Sequence, residues 1–231
     1  MTVIFSKNKI LNLKKMRRLF FILLFVSSFS VLFSQSVEDQ IRSILDNYDF
    51  GYEGNVYHKI YKYSLPDGRT VYLVFTSSDE NQCHGCTVKM SVFVVQDGQI
   101  QKSYIGEQEV GSWGEPPADT SILVYPVGDN FMIVVKGGFL DQGYFDEYIT
   151  CFYPKDDSIK DLGTVDIAED NSGAILDDSS QYESWTAKYM FVPNDDKIPD
   201  LILNISGKKG GERFTRIERY YFNGKKYVKA E

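Results

Sequence analysis

The chain has 231 residues, with 25 basic and 32 acidic side chains and an aromatic content of 15%. Six of the basic residues, Lys7, Lys9, Lys14, Lys15, Arg17 and Arg18, lie in the first 34 positions, so the rest carries 19 basic against 32 acidic, a net charge of −13. So acidic a surface repels phosphate backbones and anionic lipid, which argues against nucleic acid as a partner.

The N-terminal segment has no acidic residue, and Leu19 to Phe33 is apolar apart from Ser27, Ser28 and Ser30. A basic start, a short apolar run and the small residues Ser34 and Ser36 are the parts of a secretory signal. A bilayer-spanning helix needs about 20 apolar residues. This run is shorter and is followed at once by Gln35, Ser36, Glu38 and Asp39. The sequence therefore predicts a signal peptide over 1–34 and export to the periplasm or the extracellular space. Once the signal is removed, no stable membrane insertion is expected. The competing reading is an uncleaved N-terminal anchor.

Val37 to Asn47 is the helix-like segment of the remainder, with Ser36 as cap, Glu38 and Asp39 in the first turn, and Ile41, Ile44 and Leu45 on one stripe. Beyond Gly51, short alternating runs are separated by Gly, Pro, Asn and Asp, the pattern of an antiparallel β protein. Residues 35–231 are thus expected to form a single, mainly β domain with one N-terminal helix. Aligned by their turns, the runs fall into three units at about 56–105, 122–165 and 186–230, each reading as a four-stranded antiparallel meander. The second run of each unit ends in small residues: Thr76-Ser77-Ser78, Gly137-Gly138 and Ser206-Gly207. Repeated meanders suggest propeller-like blades, a curved sheet or a barrel. A closed propeller typically needs at least four blades, so three leave an incomplete propeller, a barrel or a sandwich open.

Cys83-His84-Gly85-Cys86 is the most conspicuous motif, with Cys151 left over in an apolar run. In an oxidising compartment the pair closes as a disulfide and Cys151 reads as an inert core thiol. A reactive C-x-x-C draws its low thiolate pKa from a helix N-terminus, whereas Thr87 to Val95 is strand-like. Zinc would need two further ligands, and His58 lies on a different run.

In the third unit, Asn194-Asp195-Asp196-Lys197-Ile198-Pro199-Asp200-Leu201-Ile202-Leu203 resembles the calcium loop of FG-GAP/VCBS-type repeats, whose pattern is D-x-N-x-D-G-x-x-D-L. Asn194, Asp196, Asp200 and Leu201 match, while Val192 stands where the first Asp belongs and Lys197 replaces the Gly. The resemblance covers about the last forty-five residues. It implies a propeller-blade fold and a role in extracellular recognition, with calcium as the implied cofactor. A missing carboxylate and an added ammonium weaken a hard-cation site severely. An Asx-rich turn before a buried strand accounts for the same residues.

No cofactor other than calcium is indicated, and no nucleophile elbow or metalloprotease motif is present. In side-by-side meanders every loop between second and third strands emerges at one rim. That rim would gather Cys83–Cys86, Asp141, Gln142, Tyr144 and Arg213, and the connectors between units would add Trp113 and Trp185. Aromatics with Asp, Gln and Arg on loops suit recognition of a glycan or an envelope protein, while core plugging by both tryptophans is the competing reading. The sequence thus points to an exported, non-catalytic recognition or structural protein. The alternatives are a thiol–disulfide protein using Cys83 and Cys86 or a hydrolase on the loop face.

Overall fold

The computed structural model describes residues 35–83, 85–174, 179–194 and 197–231. The expected signal over 1–34 lies outside them. Among the described residues no helix is long and apolar enough to cross a membrane. The chain divides into two compact units, one up to Asp46 and one from Asn47 to Glu231.

The first unit contains helix α1, Val37–Asp46. Ser36 accepts the Asp39 backbone N–H on its Oγ at 3.1 Å and donates to the Asp39 carboxylate at 2.7 Å. This cap satisfies one of the orphan donors of the first turn, and it starts the helix where the sequence places it. Ile41 and Leu45 form its buried stripe.

All strands belong to the second unit. The first sheet is β1 (Val56–Ser64), β2 (Thr70–Ser78), β3 (Val88–Gln96) and β4 (Gln99–Val110), paired in that order and antiparallel. The second has eight strands in sequence order. They are β5 (Ile122–Val127), β6 (Asn130–Asp141), β7 (Tyr144–Lys155), β8 (Ser158–Asp170), β9 (Glu183–Asn194), β10 (Lys197–Lys209), β11 (Glu212–Phe222) and β12 (Tyr227–Lys229). The fold is therefore mainly β, two antiparallel sheets with one helix, and the described residues close no barrel. The second and third sequence units are joined, since β8 pairs with β9 through Ala168–Thr186, Glu169–Trp185 and Asp170–Ser184.

The cores show how the strands stack. On β6, Phe131, Ile133 and Val135 enter a core shared with Leu73, Phe75, Met90 and Val92 of the first sheet. The intervening Met132 and Val134 enter a second core with Leu162 of β8 and Leu201, Leu203 and Ile205 of β10. Successive side chains of a strand point to opposite faces, so β6 is buried on both sides from Phe131 to Val135. Its apolar run is continuous for that reason. The eight-stranded sheet must accordingly fold back across β8 and β9. Tyr227 on β12 meets Met132 on β6 (3.6 Å) and donates to the Pro199 carbonyl at 2.7 Å. Tyr125 on β5 and Phe191 on β9 pack with ring centroids 5.5 Å apart.

The hairpins at one end are tighter than the sequence suggests. Gly138 to Tyr144 and Lys208 to Arg213 read as loops, yet the strands run on to Asp141–Tyr144 and Lys209–Glu212. Gln142 and Gly143 both have positive φ (47° and 87°), a two-residue turn whose twist matches that of the strands it joins. The hydrogen-bonded pairing of an antiparallel hairpin can then continue to the tip.

Candidate functional site

A chain of contacts ties together the loops between second and third strands and the connectors between quartets. Ser77, at the end of β2, donates its hydroxyl to the Gly114 carbonyl at 2.5 Å. Gly114 donates its own N–H to the Cys86 carbonyl at 2.8 Å. Two residues back, Ser112 donates to the Gly138 carbonyl of β6 at 3.2 Å. At the tip of the β6–β7 hairpin Gly143 abuts Gly173, and a Cβ added there would lie 2.3 Å from the Gly173 carbonyl carbon. The Gly210 N–H of the β10–β11 turn meets the Tyr182 carbonyl at 2.8 Å. Each small residue lets a neighbouring backbone approach to hydrogen-bond distance, which a larger side chain would prevent. One rim therefore carries Cys83–Cys86, both connectors and both hairpin tips.

Cys83 and Cys86 form a disulfide with their Cα atoms 5.0 Å apart. The chain continues into strand β3 from Val88, so the residues that follow the pair do not start a helix. His84 lies outside the described residues. Cys151 is buried, and burial, with Asp161 adding to it, pushes its thiol pKa well above the usual range. His58 is engaged on β1, its Nδ1 2.8 Å from the Thr76 hydroxyl.

Between the disulfide loop, the first connector and the β6–β7 hairpin lies a groove of about 650 Å³, lined by Gln82, Ser112, Trp113, Glu115, Lys136 and Glu147 among others. Trp113 is 50% exposed at its edge. The backbone there has φ 64°, a conformation rarely adopted by a bulky side chain. Lys136 and Glu147 form an ion pair across β6 and β7 at 2.8 Å, placing a donor and an acceptor side by side in the groove.

The predicted site residues divide. Trp113 lies in the groove. Asp141, Gln142 and Tyr144 occupy the β6–β7 tip on the same rim but do not line it. Exposed Phe139, Leu140 and Phe145 accompany Tyr144 there. Trp185 takes the core alternative: it is 7% exposed, packs among Leu203 and Ile205, and donates its indole N–H to Glu169 at 3.0 Å. Arg213 is the second residue of β11 and does not line the groove. Of the calcium candidates, Asp196 lies outside the described residues, and Asn194 is exposed at the end of β9. Asp200 is buried and accepts from the Arg219 guanidinium (Nε at 3.1 Å), so its charge already has a counterion. Among the described residues no three His, Cys, Asp or Glu side chains are grouped as a metal site.

Sequence reasoning did not single out Gln82, Glu115, Lys136 or Glu147. For the last two the available signal was charge inside a strand, since Lys136 directly follows five buried residues and Glu147 interrupts an aromatic run. Asp166, whose pKa is raised by burial and by Asp146, does not line the groove. No protein-family model, curated protein or solved structure matches the chain.

Proposed function

We propose that this chain is an exported, non-catalytic recognition protein that binds a glycan in the groove beside Trp113. The observation carrying this reading is the left-handed backbone of Trp113 combined with its half-exposed indole. A bulky residue in that conformation costs about 1–2 kcal/mol. Such strain persists where the surroundings over-determine it, as Cys86, Ser77 and Gly138 do here through Gly114 and Ser112. Sugars offer C–H faces that pack on an indole and hydroxyls that pair with planar polar side chains. Gln82, Glu115, Lys136 and Glu147 supply the latter. The acidic balance of the chain favours neutral over anionic glycans.

In the same reading the three quartets are copies of one blade-like unit, stacked as an incomplete propeller whose rim carries the ligand. The resemblance to FG-GAP/VCBS repeats supports that choice over a plain sandwich. A disulfide is in keeping with an oxidising compartment and hence with export. The thiol–disulfide alternative is less well supported, because the residues after the cysteine pair form strand β3 and not a helix.

The test is a glycan array probed with labelled protein, followed by calorimetry on the best neutral hit with wild type and Trp113→Ala. The expected result is binding weakened by about tenfold or more in the variant at a similar melting temperature. Equal affinity removes Trp113 from the site, and an array blank for the wild type removes the glycan.

A further inference from the structure

Strand β11 is left half-paired. On one side it pairs with β10 from Leu201–Tyr220 to Lys209–Glu212. On the other, β12 covers only Tyr220, Tyr221 and Phe222, and the Ala230 N–H reaches the Arg219 carbonyl. From Glu212 to Glu218 that edge has no ladder partner among the described strands. An open edge presents a row of N–H and C=O groups to any chain that can add a strand.

The side chains along this edge have a definite character. Arg213, Thr215 and Ile217 share the outer face, and Ile217, 74% exposed, is the most exposed large apolar side chain described. Arg213 stands directly opposite Lys208 on β10. Like charges at that position repel, and neither has a carboxylate partner among the described residues. The carboxylates along these strands are committed elsewhere: Glu183 pairs with Lys209, Glu218 with Arg216 and Lys229, and Asp200 with Arg219. Glu212 stands exposed at the strand's first position. In a chain with an excess of acids, two neighbouring cations lacking a counterion mark a surface that an anionic partner would complete.

We propose that the β11 edge binds an extended acidic peptide segment by strand addition. The segment carries a carboxylate opposite Arg213 and an apolar side chain opposite Ile217. Strand addition gives affinity through main-chain hydrogen bonds and specificity through alternate side chains. A polyanionic glycan could meet the two cations but has no backbone with which to satisfy the edge. This surface is separate from the Trp113 groove and does not depend on that reading.

The probe is a fluorescent, end-capped peptide of sequence Glu-Thr-Val-Thr-Val-Thr-Glu, palindromic so that it fits in either direction, followed by anisotropy. Controls are the same peptide with Lys for Glu and the same peptide N-methylated at alternate amides. Binding of the parent is expected, with each control weaker by about tenfold or more. Arg213→Glu is expected to weaken the parent by a similar factor while raising the melting temperature, because the repulsive pair with Lys208 becomes attractive. Loss of binding in a more stable protein cannot be misfolding. Absence of parent binding up to about 1 mM overturns the proposal. So does an N-methylated peptide that binds as well as the parent, since charge alone would then suffice and a polyanion site would be the correct description.

Discussion

Gly114 donates its backbone N–H to the carbonyl of Cys86 at 2.8 Å, and that single bond ties the disulfide loop to the connector that carries Trp113. Cys83–Cys86 closes a loop too short to stabilise the chain much by itself. Its larger consequence is to fix the carbonyl on which Gly114 hangs.

Replacing both cysteines by serine should therefore lower stability by about 2 kcal/mol and change the environment of Trp113. Gly114→Ala should cost roughly 2–3 kcal/mol with the disulfide intact. The position has φ 67°, and a Cβ there would lie 1.5 Å from the Asn81 carbonyl oxygen. Denaturant titration together with tryptophan emission reads both effects. Unchanged emission in the double-serine variant would show that the clip does not present the indole.

Trp113→Gly separates stability from recognition. Glycine adopts the left-handed backbone freely, so relief of about 1 kcal/mol of strain offsets the packing lost with a half-exposed ring. The melting temperature should hold or rise while glycan binding disappears. A marked fall in melting temperature would make the residue a structural plug instead.

Glu218 should give the protein part of its acid sensitivity. Burial alone would raise its pKa, but hydrogen bonds from Lys229 (2.6 Å) and Tyr220 (3.0 Å) and the charge of Arg216 hold it below the usual carboxylate range. A carboxylate with a depressed folded-state pKa contributes stability above its unfolded value of about 4.3, and loses it as pH falls through the folded value. Glu218→Gln should cost about 1–2 kcal/mol at neutral pH and flatten the stability profile below about pH 4. Parallel acid limbs for variant and wild type would contradict this.

Cys151 should be silent to thiol reagents in the native state, since it is fully buried and its thiolate is disfavoured. Ellman's reagent without reductant should detect no thiol in the folded protein and one after denaturation. Prompt native labelling would mean that the second core opens far more readily than its packing implies.

Much of the scaffold was legible before any coordinates. The capped helix is encoded by Ser36 and Asp39, and the antiparallel strands by turn residues recurring between alternating runs. Of the small residues expected to end each second strand, only Thr76-Ser77-Ser78 do so, since β6 and β10 run on past Gly138 and Gly207 to Asp141 and Lys209. Hairpin length was less legible, because the turn residues Asp141, Gln142 and Gly143 suggest a loop while the strands pair to the tip at Asp141–Tyr144. For Trp185 the sequence left two readings open, a loop surface and a core plug, since a tryptophan beside Ser184 looks the same in sequence whether its ring turns outward or inward.

What the residues alone determined were local and additive properties: strand periodicity, turn chemistry, the disulfide pair and the charge balance. These depend on neighbours within a few positions and survive in any arrangement of the chain. Tertiary structure decided which faces were sealed, bringing Lys136 and Glu147 beside Trp113 and leaving the β11 edge open. Those outcomes depend on how the eight-stranded sheet folds back on itself, and that is fixed by packing between side chains far apart in the chain.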